Sequence, residues 1–411
     1  MHFQDSPQEA AFRTEARSWL EKNAPPRRDM GGSDAAKIKD LQRALREGRE
    51  WMAKKASAGW ACLHWAPEYG GRGASPIERI IWTQEEARFV DADAIFTIGQ
   101  NTCAPVLMQH MSEEQRRRFL PKIANGDEIW CQLFSEPGAG SDLAGLRTRS
   151  VRDGDDWIVN GQKVWTSGAH YSDYAILLTR SDPTVPKHKG LTFFFVDMRS
   201  PGIEIRPIRQ MSGTSNFNEV FLTDVRIPDA QRLGEVGKGW SVAMTTLTNE
   251  RFEAGEARGV DFDDLFNFVA SLGTDDDAPI KNNAVRAKLA EWYCESRGTQ
   301  YFAYRMLSKL SAGEKLGAEV SVITATRPKR TQDIASFAMD LMEQGGILDE
   351  PAMLADKERF LESYFWAPGS RIAGGTDEIL RNIIAEQVLG MPADIRVDKT
   401  APFNELKNGK K

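Results

Sequence analysis

The spacing of apolar residues changes period twice along this chain, and the two changes limit what it can fold into. From Cys131 to Arg180 the sequence reads CQLFSEPGAGSDLAGLRTRS and then VRDGDDWIVNGQKVWTSGAHYSDYAILLTR. Apolar and β-branched runs alternate there with the turn residues Gly138/Gly140, Asp153-Gly154 and Asn160-Gly161. Both X-Gly pairs lie between strand-like runs, so each predicts a hairpin turn. The strand candidates are Asp156–Val159, Tyr174–Thr179, Leu191–Val196 and Glu219–Val225. On either side the period is helical. The expectation is an α+β chain with a β module between two helical ones.

Upstream, Ser6-Pro7-Gln8-Glu9, Ser75-Pro76-Ile77-Glu78 and Ser112-Glu113-Glu114-Gln115 each read as a capping box, the first two with proline at the first helical position. Pro67-Glu68-Tyr69-Gly70-Gly71-Arg72-Gly73 is too glycine-rich for a helix and predicts a loop. Downstream of Gly237-Lys238-Gly239, helices are expected over Trp240 to Ala257, Ala284 to Leu310, Thr331 to Met342 and Thr376 to Leu389. The domain reading is therefore residues 1–126 helical, 127–236 β, 237–395 helical, and a polar, mobile tail over 396–411.

A length of 411 residues predicts two or three domains. The net charge of −6 offers no nucleic-acid surface. No apolar run approaches the roughly 20 residues that span a bilayer. The opening MHFQDSPQEAAF lacks a basic segment followed by an apolar one, so no secretory signal is expected. The four cysteines are scattered and the five histidines lack ligand spacing. These features point to a reduced, cytoplasmic protein without a metal site.

Four stretches could carry chemistry. On helix 240–257, Trp240, Ala243, Met244, Leu247, Glu250, Arg251 and Ala254 fall on one face. Neither charged residue has an oppositely charged neighbour three or four positions away. A carboxylate that continues a buried stripe is costly unless it is neutralised or used. The alternatives are that the face emerges into solvent there, or that both charges pair with distant residues. Ser135-Glu136-Pro137-Gly138-Ala139-Gly140-Ser141-Asp142 offers hydroxyls and glycines at a strand end, where backbone N–H groups can approach a ligand, or else a plain tight turn. Trp165-Thr166-Ser167 sets an indole near a hydroxyl, although core packing is the commoner fate of a tryptophan. Gly374-Gly375-Thr376-Asp377-Glu378 opens a helix after two glycines, which suits electron-rich ligand groups or simply caps the helix.

Taken together, PEYGGRG, SEPGAGSDLAG, NGQKVWTSGAH, EVFLTDVRIP and GGTDEILRNIIAEQVLG resemble the acyl-CoA dehydrogenase family in order and spacing, from about Glu9 to Pro392. The resemblance implies an N-terminal helical domain, a middle β-barrel or sandwich domain and a C-terminal four-helix bundle. It implies FAD and the α,β-dehydrogenation of an acyl-CoA thioester in lipid catabolism of the β-oxidation type. It places Leu133, Phe134 and Ser135 along the flavin, with Trp165 and Ser167 against the isoalloxazine and Thr376 and Glu378 at the cofactor. Ser141 and Leu247 fall at the substrate, and the Gly374 N–H at the thioester carbonyl. Many members carry their base where this chain has Gly374, and glycine takes no proton. In the isovaleryl-CoA and long-chain members the base precedes an arginine on the helix after the β-domain. That position is Glu250, followed by Arg251, which shapes its site.

The resemblance also implies electron transfer to an electron-transfer flavoprotein and assembly as a homodimer or homotetramer. Two departures stand out. No Arg-x-x-Phe-Gly element follows the helix, and the glycine segment is altered to Asp340-Leu341-Met342-Glu343-Gln344-Gly345-Gly346, where Gly345 and Gly346 remain as cofactor candidates. This pattern resembles a bacterial branch in which two different subunits form a heterotetramer and share fewer flavins.

Overall fold

The computed structural model describes residues 5–24, 41–89, 95–254, 259–311, 313–314, 316–347, 357–393, 395–396 and 398–406; along α6 (Gly239–Ala254), side chains are described as far as Asn249. The chain forms two compact units. One comprises Met1–Leu41, Ser75–Val90 and Arg251–Pro392; the other comprises Gln42–Ala74, Asp91–Glu250 and Ala393–Lys411.

The second unit is built on a seven-stranded sheet with the strands β1 (Trp130–Leu133), β2 (Arg149–Asp153), β3 (Asp156–Ser167), β4 (Tyr174–Arg180), β5 (Leu191–Asp197), β6 (Ile203–Ile208) and β7 (Phe217–Pro228). The order is β1-β4-β2-β3-β7-β6, with β5 paired to β4. β4 and β5 are almost wholly buried, and so read as continuous apolar runs, AILL and LTFFFV, rather than as alternation. Asp153-Gly154 makes the β2–β3 hairpin turn. Asn160-Gly161 does not make a hairpin. It lies inside β3, where the register to β7 shifts between Val159 and Gly161. A Cβ on Gly161 would sit 2.3 Å from Thr148 Oγ1, so this glycine permits a close crossing of chains rather than a turn.

The helices α2 (Leu41–Ser57), α4 (Ala104–His110) and α5 (Glu113–Ala124) belong to the same unit, as does α6 up to Glu250. One apolar cluster joins Leu107, Phe119, Leu120, Trp130, Phe134, Phe193, Phe195 and Ala243. The face that α6 buries centres on Val242, Ala243 and Thr246, while Trp240 and Leu247 pack at its margin.

Residues 398–406, expected to be a mobile tail, are instead docked on the β4–β5 connection. The Phe403 N–H donates to the Val185 carbonyl at 2.9 Å, the Asn404 N–H donates to the Pro183 carbonyl at 3.0 Å, and the Phe403 ring is buried. The sequence concealed this because a single aromatic in a polar stretch has no period.

The first unit contains α1 (Pro7–Asn23), α3 (Pro76–Glu86), α7 (Phe262–Ser271), α8 (Asn283–Ser311), α9 (Ser321–Leu341), α10 (Gln344–Ile347), α11 (Lys357–Ser370) and α12 (Asp377–Ile383). The capping boxes at Ser6 and Ser75 are formed, as is the one at Ser112 in the second unit. α9 begins ten residues before the expected Thr331 and carries Pro328 inside it. Tertiary packing of Ile323, Ile334, Ala335 and Ala338 outweighs the helix-breaking preference of that proline. Arg330, buried on α9, forks onto the Asp261 carboxylate at 2.9 and 3.0 Å. Among the described residues no helix is long and apolar enough to cross a membrane.

Candidate active site

β1 ends at Leu133, fully buried, and the chain continues through buried Phe134 to half-buried Ser135. The Val164 N–H donates to the Ser135 carbonyl at 2.9 Å, so the strand end lies against β3 one residue before Trp165. There β3 bulges, its register to β7 shifting between Lys163 and Thr166. Trp165 takes φ = 61°, a left-handed conformation that costs a non-glycine residue about 1–2 kcal/mol. Its indole is not in the core. It is 59% exposed, edge-on to Phe217 at 6.0 Å between ring centroids.

Strain that displays a large aromatic instead of hiding it points to a surface with an occupant. Ser167 is half-buried two residues further on. A flat aromatic ring system fits this wall, since it can lie on the indole while the Ser135 and Ser167 segment supplies polar atoms at its edge.

Two residues that sequence reasoning passed over hold the wall in place. Lys163 and Glu136 are both buried and paired at 2.8 Å. Lys163 Nζ also donates to the Phe134 carbonyl at 3.0 Å. The Glu136 carboxylate accepts from the Arg147 N–H at 2.6 Å and the Thr148 N–H at 2.9 Å. Burial alone would push the Glu136 carboxyl up, but the Lys163 ammonium and these hydrogen bonds outweigh it and leave the group below its ordinary value. Burial pushes the Lys163 ammonium down. Both residues stood inside quoted motifs, and their shared burial is a long-range property. Asn218, fully buried on β7, donates to the Thr166 carbonyl at 2.9 Å and fixes the far side of the bulge.

Ser141 is exposed on the loop after the turn at Gly138 and Gly140, and neither glycine has a heavy atom within 4 Å of where a Cβ would stand. A cleft of about 290 Å³ beside this loop, lined by Glu136, Gly138, Arg147 and Thr148, is too small for a dinucleotide. Leu247 packs against the cluster that includes Phe134, Ala139 and Leu143. Thr246, also on α6, is fully buried, and its hydroxyl has no hydrogen-bond partner among the described residues. Glu250 and Arg251 follow on α6, and their side chains lie outside the described residues.

The other candidates belong to the first unit. Gly374 and Gly375 have φ of 68° and 119°, and Thr376 caps α12 by accepting from the Ile379 N–H at 3.3 Å. Glu378 is exposed, whereas its neighbour Asp377 is buried and ion-paired with Arg371. Nothing lies within 4 Å of a Cβ built on Gly374. Gly346 is buried, and a Cβ there would meet the Met339 carbonyl at 2.6 Å, so this glycine lets α10 pack on α9. Gly345 is half-buried beside it.

Residues 6–127 match the acyl-CoA dehydrogenase N-terminal domain, residues 131–225 the middle domain and residues 237–389 the C-terminal domain. The chain is a member of the acyl-CoA dehydrogenase family. It is 35% identical over 395 residues to acyl-CoA dehydrogenase IpdE1 of Mycobacterium tuberculosis, covering 94% of this chain and 98% of that one. It is 39% identical over 351 residues to acyl-CoA dehydrogenase FadE34 of the same organism, covering 85% of this chain and 47% of that one, so it spans about half the length of that relative. Among solved structures, the ChsE4-ChsE5 complex from Mycobacterium tuberculosis matches with a TM-score of 0.77 at 28% identity, covering 96% of this chain and 100% of that one. The dehydrogenase thus belongs to an oxidoreductase family with solved members that include a glutaryl-CoA dehydrogenase from Mycobacterium smegmatis in complex with FADH2, and the cofactor of that family is FAD. The expected α+β class and three-part family architecture stand.

Proposed function

We propose that this acyl-CoA dehydrogenase removes the α-proton of an acyl-CoA thioester with Glu250. The family position supports Glu250, and the observation that supports a bound flavin is Trp165, an indole held exposed on strained backbone beside the Ser135 strand end. FAD, when bound, supplies the hydride acceptor that no side chain can provide. Leu133, Phe134, Ser135, Trp165 and Ser167 would hold it from the β-domain, and Gly345, Gly346, Thr376 and Glu378 are the further cofactor positions that the family resemblance implies.

Glu250 holds the abstracted proton and Arg251 keeps its carboxylate ionised before the transfer. The buried Thr246 hydroxyl, four residues before Glu250 on the same helix, would help to orient that carboxylate. By the family resemblance the Gly374 N–H would polarise the thioester carbonyl, which lowers the cost of the enolate-like charge that develops there. Ser141 contacts the CoA portion, and Leu247 forms part of the acyl wall. Expelling water around the proton in transit is left to the apolar residues of the α6 stripe.

Glu250→Gln tests the reading. Retained FAD with turnover lowered by roughly 10²–10⁴-fold is expected for loss of a general base. Near-normal turnover would refute the assignment.

The electrons pass to an electron-transfer flavoprotein, the oligomer is a homodimer or homotetramer, and the location is cytoplasmic in this reading. One observation favours a second reading: residues 259–283, GVDFDDLFNFVASLGTDDDAPIKNN, lack an Arg-x-x-Phe-Gly element. A flavin-sharing or non-catalytic partner subunit would lack it too, and the solved ChsE4-ChsE5 structure is itself a complex of two differently named proteins. Native mass and flavin content of the chain, alone and co-expressed with a neighbouring dehydrogenase subunit, separate the two. The division into residues 1–126, 127–236, 237–395 and 396–411 is kept as the domain reading, with residues 398–406 of the last segment docked.

A further inference from the structure

Three short stretches far apart in sequence meet at two buried cations. Arg180, at the end of β4 and 4% exposed, donates from Nε to the Leu146 carbonyl at 3.0 Å, and from its two terminal nitrogens to the carbonyls of Lys187 at 3.1 Å and Ala144 at 2.5 Å. Its guanidinium is covered by the Phe403 ring, 3.5 Å from the centroid. Lys187 is 7% exposed and bridges two carboxylates, Asp142 at 2.8 Å and Asp398 at 2.5 Å. Burial would push the Lys187 ammonium down, but the two carboxylates outweigh it and hold the group above its ordinary value.

Both cations therefore grip the same loop, Asp142 to Leu146, and both are covered by the same C-terminal segment. A buried guanidinium that loses its lid, or a bridged ammonium that loses one carboxylate, regains water and loosens its hold on whatever else it binds. The loop so held begins immediately after Ser141, and Asp142 is the first residue gripped.

We propose that residues 398–406 act as a clasp that positions the Ser141 loop for the nucleotide-bearing part of the acyl thioester, with Arg180 and Lys187 as the positioning residues. The substrate half of the proposal rests on the reading that Ser141 contacts CoA; the clasp does not. The clasp acts on binding rather than on chemistry, because it touches the loop at Asp142 to Leu146 and no residue assigned to the proton or hydride. It follows that its influence should depend on the length of the thioester carrier. In this proposal the loop meets the nucleotide end of the carrier, so a substrate that ends at pantetheine should not sense the clasp.

The test uses the full FAD-loaded chain and two variants, Phe403→Ala, which uncovers Arg180, and the milder Asp398→Asn, which removes the charge of one of the two carboxylates on Lys187 without changing shape. Hydrogen exchange at the amides of Gly145 and Leu146 reads the clasp directly, since these donate within the loop to Asp142 and Leu143. Faster exchange there, with protection elsewhere in the sheet as in the parent, is expected in both variants. KM for an acyl-CoA should rise about 3- to 10-fold with kcat within about twofold, while KM for the matching acyl-pantetheine stays unchanged.

Unchanged exchange in both variants overturns the clasp. Raised KM for both carriers alike, or a fall in kcat alone, overturns its role in holding the nucleotide. Should the parent chain bleach flavin with no acyl-CoA, or Ser141→Ala leave the KM for acyl-CoA unaltered, the reading of Ser141 fails, and the exchange measurement still decides the clasp.

Discussion

Lys163 Nζ stands 2.8 Å from Glu136 Oε1, with both side chains buried, and the pair ties the Ser135 strand end to the bulge that displays Trp165. A buried pair of this kind is costly to break from one side, because the remaining charge keeps its desolvation cost and loses its partner.

Lys163→Met is therefore expected to lower unfolding stability by about 3–5 kcal/mol, read from urea or guanidinium midpoints. Glu136→Gln combined with Lys163→Met should recover part of that loss, since no uncompensated charge is left buried. A single variant as stable as the parent would show that the pair is not what holds the wall.

Trp165→Gly separates conformation from contact. Glycine adopts φ near 61° without the steric cost, so the flavin-free protein should stay within about 1 kcal/mol of the parent or gain slightly. FAD affinity should fall, measured by flavin release or fluorescence titration. Unchanged FAD affinity would remove Trp165 from the cofactor wall.

Thr246→Val replaces a buried hydroxyl that has no partner among the described residues with a methyl of the same shape. The thermal midpoint of the ligand-free protein should rise or hold, because burying an unpaired hydroxyl costs about 1–3 kcal/mol. If Thr246 orients Glu250, the acidic limb of the kcat profile should move in Thr246→Val and return in Thr246→Ser. A clear loss of stability in the valine variant would mean that the hydroxyl is bonded after all.

Acid sensitivity has a definite origin in the first unit. Hydrogen bonds from Arg17 and Arg13 of α1 outweigh burial and hold the Glu85 carboxyl of α3 at about 2, against 4.5 ordinarily. Its folded-state value is depressed, so its contribution is complete above about 4.5 and is lost as pH falls toward about 2. That contribution is on the order of 3 kcal/mol at most, from the size of the shift. Urea midpoints should fall across this window in the parent and be flatter in Glu85→Gln. Parallel slopes would place the acid-labile group elsewhere.

Much of this was legible in the residues themselves. The three capping boxes, the Asp153-Gly154 turn and the buried runs of β4 and β5 follow from local chemistry, because a cap or a hairpin turn is decided within four residues. The family motifs supplied the order of the modules and the candidate list in the same way. Tertiary structure decided what local rules cannot see. It put Asn160-Gly161 inside a strand because Thr148 crosses there, carried α9 past Pro328, and drew the C-terminal stretch onto Arg180 through one aromatic ring. It also turned Trp165 outward and buried Glu136 and Lys163 together. Each of these depends on which distant atoms share a desolvated space, and a linear sequence does not record that distance.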